Sequence, residues 1–159
     1  MSGNFNTEDS LTVPSESRIL IVDDNAQNLE LLQAYLEDLG CQIDVAHDGA
    51  EAIEIARQRV PDVMVLDVMM PRMSGFQVCE KLKKEPATAA VPIVMVTALN
   101  EISDVERAIE AGADDFLTKP VQRLELLARV KSQINVQLIR RRLELAMRRL
   151  REMDQGAAS

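Results

Sequence analysis

The sequence predicts an α/β protein: a parallel sheet of five short strands covered by helices on both faces, with the last helix prolonged past the sheet. Three observations lead there. Short apolar runs alternate five times with segments of helical period, which is the pattern of α/β architecture. Three of the runs are apolar without alternation, as expected for strands covered on both sides. The informative polar residues all follow strand ends, which in such folds form the ligand-binding edge.

The elements follow in order. Met1 to Ser17 are polar, contain Pro14 and read as a disordered lead-in. The first strand is Ile19-Leu20-Ile21-Val22, followed by Asp23 and Asp24. Leu29, Leu32, Leu36 and Leu39 then form a helical stripe, stopped by Gly40. Ile43-Asp44-Val45-Ala46 is the second strand, and its turn carries the only histidine, His47, which reads as solvent-facing. Ala52, Ile53 and Ala56 mark the second helix. The third strand, Val63-Met64-Val65-Leu66, closes on Asp67. Phe76 or Val78, Cys79 and Leu82 mark the third helix, ending before Pro86. The fourth strand, Ile93-Val94-Met95-Val96, runs into Thr97 and Ala98. Ile102, Val105 and Ile109 suit a fourth helix, ended by Gly112. Phe116-Leu117 is the fifth strand, followed by Lys119 and Pro120, after which a fifth helix begins.

Composition narrows the function classes. The 159 residues favour one domain plus an extension, and the net charge of -8 argues against nucleic acid as partner of the main body. Charge is unevenly spread. From Lys131 onward seven Lys/Arg stand against three Asp/Glu, a local +4, whereas 11 face 23 up to Val130, a local -12. Cys41 and Cys79 have no metal-ligand or CxxC spacing and read as small hydrophobes. No apolar run approaches a membrane span and no signal-peptide core precedes the body, so a soluble, cytoplasmic molecule is expected.

The fold gathers Asp23, Asp24, Asp67, Thr97 and Lys119 at one sheet edge. Three clustered carboxylates raise one another's pKa unless a cation sits among them. Mg²⁺ suits such a site, since it keeps waters and takes one or two carboxylates plus a phosphate oxygen. An ammonium from Lys119 and a hydroxyl from Thr97 complete a phosphoryl site, in which Asp67 can be the nucleophile. Taken singly, Asp23-Asp24 reads as a helix N-cap, Thr97 as a strand residue and Lys119 as a loop charge. Only Asp67, at the end of the most apolar strand, resists that treatment alone.

The segments ILIVDDN, VLDVMMPRMSG, VTA and LTKP, in this order and spacing, closely resemble the receiver domain of two-component response regulators. The resemblance spans roughly Arg18 to Gln133. It implies a flavodoxin-like, doubly wound sheet of order 2-1-3-4-5; the order for this family is a worked example of the general rule for such sheets. It implies that Asp67 accepts a phosphoryl group from a phosphohistidine on a sensor histidine kinase or phosphotransfer protein. Asp24, Asp67 and the Met69 backbone carbonyl would bind Mg²⁺ directly, and Asp23 through water. Lys119 and Thr97 would hold phosphoryl oxygens, and the Lys119-Pro120 bond would be cis. Thr97 and Phe116 would form the conformational switch. Ala98, Met69 and Leu99 would set access to the phosphoryl group: Ala98 is small, and the apolar Met69 and Leu99 offer no group to orient a hydrolytic water. A long-lived phosphorylated form is therefore expected. Such a chain is not a turnover enzyme but a signalling module that catalyses its own phosphorylation and dephosphorylation. A haloacid-dehalogenase-type phosphatase normally carries a second acid two residues beyond the nucleophile, where this chain has Met69. A flavodoxin-like cofactor binder would need a phosphate-cradling loop where Asp23-Asp24 stand.

Beyond Gln133 the helical pattern continues. Val136, Ile139, Leu143, Ala146, Leu150 and Met153 are spaced 3, 4, 3, 4, 3, an a/d heptad stripe. One helix of about 33 residues would be roughly 50 Å long. Residues 134–155 are thus expected to form a helical extension and coiled coil, with 156–159 as a tail. A parallel homodimer that relays phosphorylation is the favoured reading, against a helix folded back on its own domain. Arg140, Arg142 and Arg149 at e and g positions are expected to repel and make the dimer weak or switchable. No DNA-reading module is visible, so direct nucleic-acid binding is not expected. The alternative is a fragment of a larger regulator whose output domain, such as a cyclic-dinucleotide synthase or phosphatase, lies elsewhere.

Overall fold

A computed structural model describes residues 13–98 and 102–157. Five parallel strands form one sheet in the order β2-β1-β3-β4-β5, with β1 Arg18–Val22, β2 Gln42–Ala46, β3 Val63–Asp67, β4 Ile93–Thr97 and β5 Asp115–Thr118. The helices are α1 Ala26–Leu36, α2 Gly49–Gln58, α3 Gly75–Lys84, α4 Ile102–Ala111 and α5 Arg123–Ala157. Each strand is one residue or so longer than its apolar run, because ladder bonds extend to the flanking polar residues.

β3 and β4 are buried at every position, as their unbroken apolar runs require. Their side chains alternate between two cores. On one face Met64, Leu66 and Met95 pack with Val78, Cys79 and Leu82; on the other Val63, Val65 and Val94 pack with Leu32, Leu36, Leu126 and Val130. The stripes predicted for the first three helices are all buried. A short 3₁₀ turn, Glu37–Leu39, ends at Gly40, whose φ of 70° supplies the left-handed stop. Cys79 donates to the Ala111 carbonyl, and burial pushes its thiol pKa up to about 11, so it is a packing residue; burial also raises the thiol pKa of the part-buried Cys41.

Three expectations are corrected. Residues 13–17 are ordered: Val13 is buried in the second core, and the Ser17 N–H closes a turn on the Pro14 carbonyl. Met1 to Thr12 lie outside the described residues. The fourth helix does not bury its isoleucines. Ile102 is 79% and Ile109 68% exposed, while Ala108 and Ala111 face the core. The helix is rotated because small side chains allow closer approach to α3, where Arg107 also stacks on the Phe76 ring at 4.4 Å. The final helix runs to Ala157, past the expected start of a tail at Gly156.

α5 has 35 residues, about 52 Å at 1.5 Å per residue. Its packing on the body continues beyond Gln133. Ile134 and Gln137 are buried, Leu138 joins the second core, and Arg141 Nη2 lies 2.7 Å from Asp62 Oδ1. From Arg142 to Gly156 every residue is exposed.

Candidate functional site

The site lies where β1, β3, β4 and β5 end. β1 delivers Asp23, whose N–H bonds the Ala46 carbonyl of β2 at 3.2 Å. Asp23 Oδ1 accepts the Asn25 N–H at 2.9 Å, and Asn25 in turn caps α1 by accepting from Gln27 and Asn28. The N-cap is therefore Asn25. Neither aspartate is needed as a cap, which removes the ordinary explanation for the Asp23-Asp24 pair.

β3 delivers Asp67, only 3% exposed. The chain then turns so sharply that α3 starts against the strand end. Gly75 donates to the Val68 carbonyl at 2.9 Å, and a Cβ at Gly75 would sit 2.4 Å from the Asp67 carbonyl oxygen. Ser74 caps α3 in a reciprocal box with Gln77. β4 delivers Thr97, buried and adjacent to Val96, the residue paired with Asp67 across the sheet. The Lys119 N–H donates to the Thr97 carbonyl at 2.8 Å, so the backbone that carries the lysine is pinned to the end of β4. The Lys119-Pro120 bond is cis.

Asp23, Asp24 and Asp67 each offer a carboxylate oxygen, and these oxygens all lie within 4.8 Å of one another. Lys119 Nζ stands 3.3 Å from Asp67 Oδ1 and 3.8 Å from Asp23 Oδ2. The first contact is an ion pair, and among the described residues Asp67 Oδ1 is buried with no hydrogen-bond partner. Burial raises the Asp67 carboxyl pKa above the ordinary value. The Asp23 charge adds to the rise, while Lys119 and the Met69 backbone N–H oppose it. One ammonium thus does not satisfy three acids. A hard divalent cation with oxygen ligands fits this donor set: it would meet the orphaned Oδ1 and offset the surplus negative charge.

Of the remaining expected residues, Met69 is 61% exposed with its backbone N–H towards Asp67, Ala98 is exposed, and Phe116 is half-buried and shares a narrow space with Thr97, Val105 and Ala108. Leu99 lies outside the described residues. His47 is exposed, and its Nδ1 lies 3.4 Å from Glu51 on α2. From Asp23 and Lys119 a groove of about 550 Å³ runs between α1 and the connection from β5 to α5, walled by Leu31, Leu32, Tyr35, Pro120 and Val121. Sequence reasoning missed this groove, the close approach at Gly75 and the Asp62–Arg141 pair. Gly75 stands inside a quoted motif, but only the position of α3 explains it.

Residues 19–131 match the family model described as the response regulator receiver domain. Among curated proteins, the chain is 45% identical over 123 residues to Response regulator PleD of Caulobacter vibrioides, covering 77% of this chain and 27% of that protein. It is 42% identical over 115 residues to the DNA-binding dual master transcriptional regulator RpaA of a Synechocystis species, covering 72% of this chain and 48% of that one. Among solved structures, a CheY-like response regulator receiver domain protein from Methanospirillum hungatei superposes with a TM-score of 0.74 at 28% identity, covering 79% of this chain and 99% of that one. The chain thus spans about a quarter to a half of the length of these curated relatives.

Proposed function

The chain belongs to the response regulator receiver domain family, and on that premise we propose that Asp67 is its phosphoacceptor. The single observation that carries this is the buried, incompletely satisfied Asp67 carboxylate facing Lys119 at 3.3 Å within a cluster of three acids. The donor is a phosphohistidine on a sensor histidine kinase or phosphotransfer protein. The donor's P–N bond breaks as a bond forms between phosphorus and an Asp67 oxygen. Asp23, Asp24, Asp67 and the Met69 carbonyl would hold Mg²⁺, which supplies charge neutralisation for the phosphoryl oxygens when bound. Lys119 and the Thr97 hydroxyl bind the phosphoryl oxygens and orient them. The groove beside Asp23 and Lys119 accepts an apolar helix face of the donor, so that its histidine reaches Asp67.

Phosphorylation draws Thr97 towards the phosphoryl group, and Phe116 turns into the space they share. The receiver body carries this chemistry, and the α5 extension passes it on through pairing of two copies. A second reading, that the chain is the receiver part of a larger regulator with its own output activity, is supported by the fraction of PleD and RpaA that it covers. The test is labelling with a radioactive small phosphodonor in the presence of Mg²⁺. Label is expected on the wild type, lost with chelator and lost in Asp67→Asn; undiminished label in Asp67→Asn would overturn the assignment.

A further inference from the structure

α5 is a single helix through both the body and the extension, so its faces can be compared directly. At about 100° per residue, the side that packs on the sheet is marked by Leu127, Val130, Ile134, Gln137 and Arg141. The stripe Ile139, Leu143, Ala146, Leu150 and Met153 centres about 160° round the helix from it. All five are exposed, with Leu150 at 62%. A straight helix cannot fold such a stripe onto its own body. The stripe therefore faces outward, and the identity of its occupant can be read from the charges beside it.

In a parallel pair, a g residue faces the e residue five places later on the other helix. With Ile139 and Met153 at d, the g–e pairs are Asn135 with Arg140, Arg142 with Met147, and Arg149 with Asp154. None joins two cations, so the repulsion expected from the three arginines does not arise. One pair is attractive, and in another the Arg142 stem lies over an exposed methionine. In an antiparallel pair, g faces g, and Arg142 or Arg149 meets an arginine in every register that aligns the stripe. Among the described residues, neither Arg149 nor Asp154 has an ion pair within its own chain.

We propose that the extension pairs with that of a second copy as a parallel, in-register, two-stranded coiled coil, with Arg149 facing Asp154 of the second copy. This rests on the reading of the extension as a pairing element and specifies its orientation and register. Because the stripe lies opposite the body-facing side, the two receivers stand on the outer flanks of the pair. Neither Asp67 nor the groove beside it is covered.

The test is disulfide trapping of Met153→Cys in a Cys41→Ser background, with sedimentation on the same sample. In the parallel register the two introduced thiols are adjacent; in antiparallel registers they are roughly 15–25 Å apart along the axis. Efficient trapping is expected. Arg149→Glu should lower its yield about threefold or more, since two pairs per dimer change from attraction to repulsion, and adding Asp154→Arg should restore it. Absence of trapping, trapping only between Met153→Cys and Val136→Cys copies, or indifference to the charge swap would each overturn the proposal. Phosphoryl labelling of Asp67 on the same preparation separates the readings. A monomer that labels removes only the pairing, whereas a trapped dimer that does not label supports the pairing and removes the phosphoacceptor.

Discussion

Replacing Asp67 by asparagine should stabilise the fold when no divalent cation is present. Asp67 and Asp23 have oxygens within 4.8 Å, and at an effective dielectric constant of about 20 such charges repel by roughly 3.5 kcal/mol. Lys119 at 3.3 Å attracts Asp67 by roughly 5 kcal/mol on the same scale. Asp24 is exposed, so its repulsion is screened to roughly 1 kcal/mol. Attraction and repulsion nearly cancel, and the cost of burying the charge remains. An unsatisfied buried polar group costs about 1–3 kcal/mol, more when charged. Asp67→Asn should therefore gain about 1–3 kcal/mol near pH 7.5, or roughly 3–9 °C in Tm for a chain of this size. The pH dependence follows from the raised Asp67 pKa. The folded form holds this proton to higher pH than the unfolded form. The penalty is present in full above the folded pKa, fades as pH falls through it, and is absent below the unfolded value of about 4. Thermal melts followed by circular dichroism in chelator, at several pH values, read it directly. Mg²⁺ should raise the Tm of the wild type and much less that of the variant. An asparagine variant less stable than wild type at pH 7.5, or a gap that ignores pH, would refute the account of the cluster.

Three further outcomes follow from other contacts. Gly75→Ala places a methyl 2.4 Å from the Asp67 carbonyl oxygen and should destabilise by about 2–4 kcal/mol in urea unfolding, with slower labelling of Asp67. Met69→Asn or Met69→Glu puts a polar group at the exposed position beside the site and should speed loss of label by about tenfold, a small part of what a positioned proton acceptor contributes; an unchanged decay rate would mean that Met69 does not set the phosphoryl lifetime. Arg141→Gln leaves Asp62 its 2.7 Å bond from the Arg18 N–H but frees the helix. Stability should change by less than about 1 kcal/mol, while hydrogen exchange from residue 139 onward rises markedly.

The strands and three of the four inner helices were legible because burial imposes period, and period survives in sequence. Leu29, Leu32 and Leu36 can point only one way in a helix covered on one side. α4 was misread for the same reason: Ile102 and Ile109 form the stronger apolar stripe, but contact with α3 selects Ala108 and Ala111 by size. The acids, Thr97 and Lys119 were legible jointly, since a parallel sheet brings strand ends to one edge. What stayed hidden depends on approach distances between elements distant in sequence. Gly75 against Asp67 and Arg141 against Asp62 are fixed by how helices seat on the sheet, and no local pattern records that.

β3 has Asp67 at one end, and Asp62, just before its other end, is the anchor for Arg141. The two acids are about 17 Å apart along one extended strand. On the proposed reading, phosphoryl chemistry and the pairing of two copies therefore lie at opposite poles of the receiver body. Each copy is then charged and discharged without the pair coming apart.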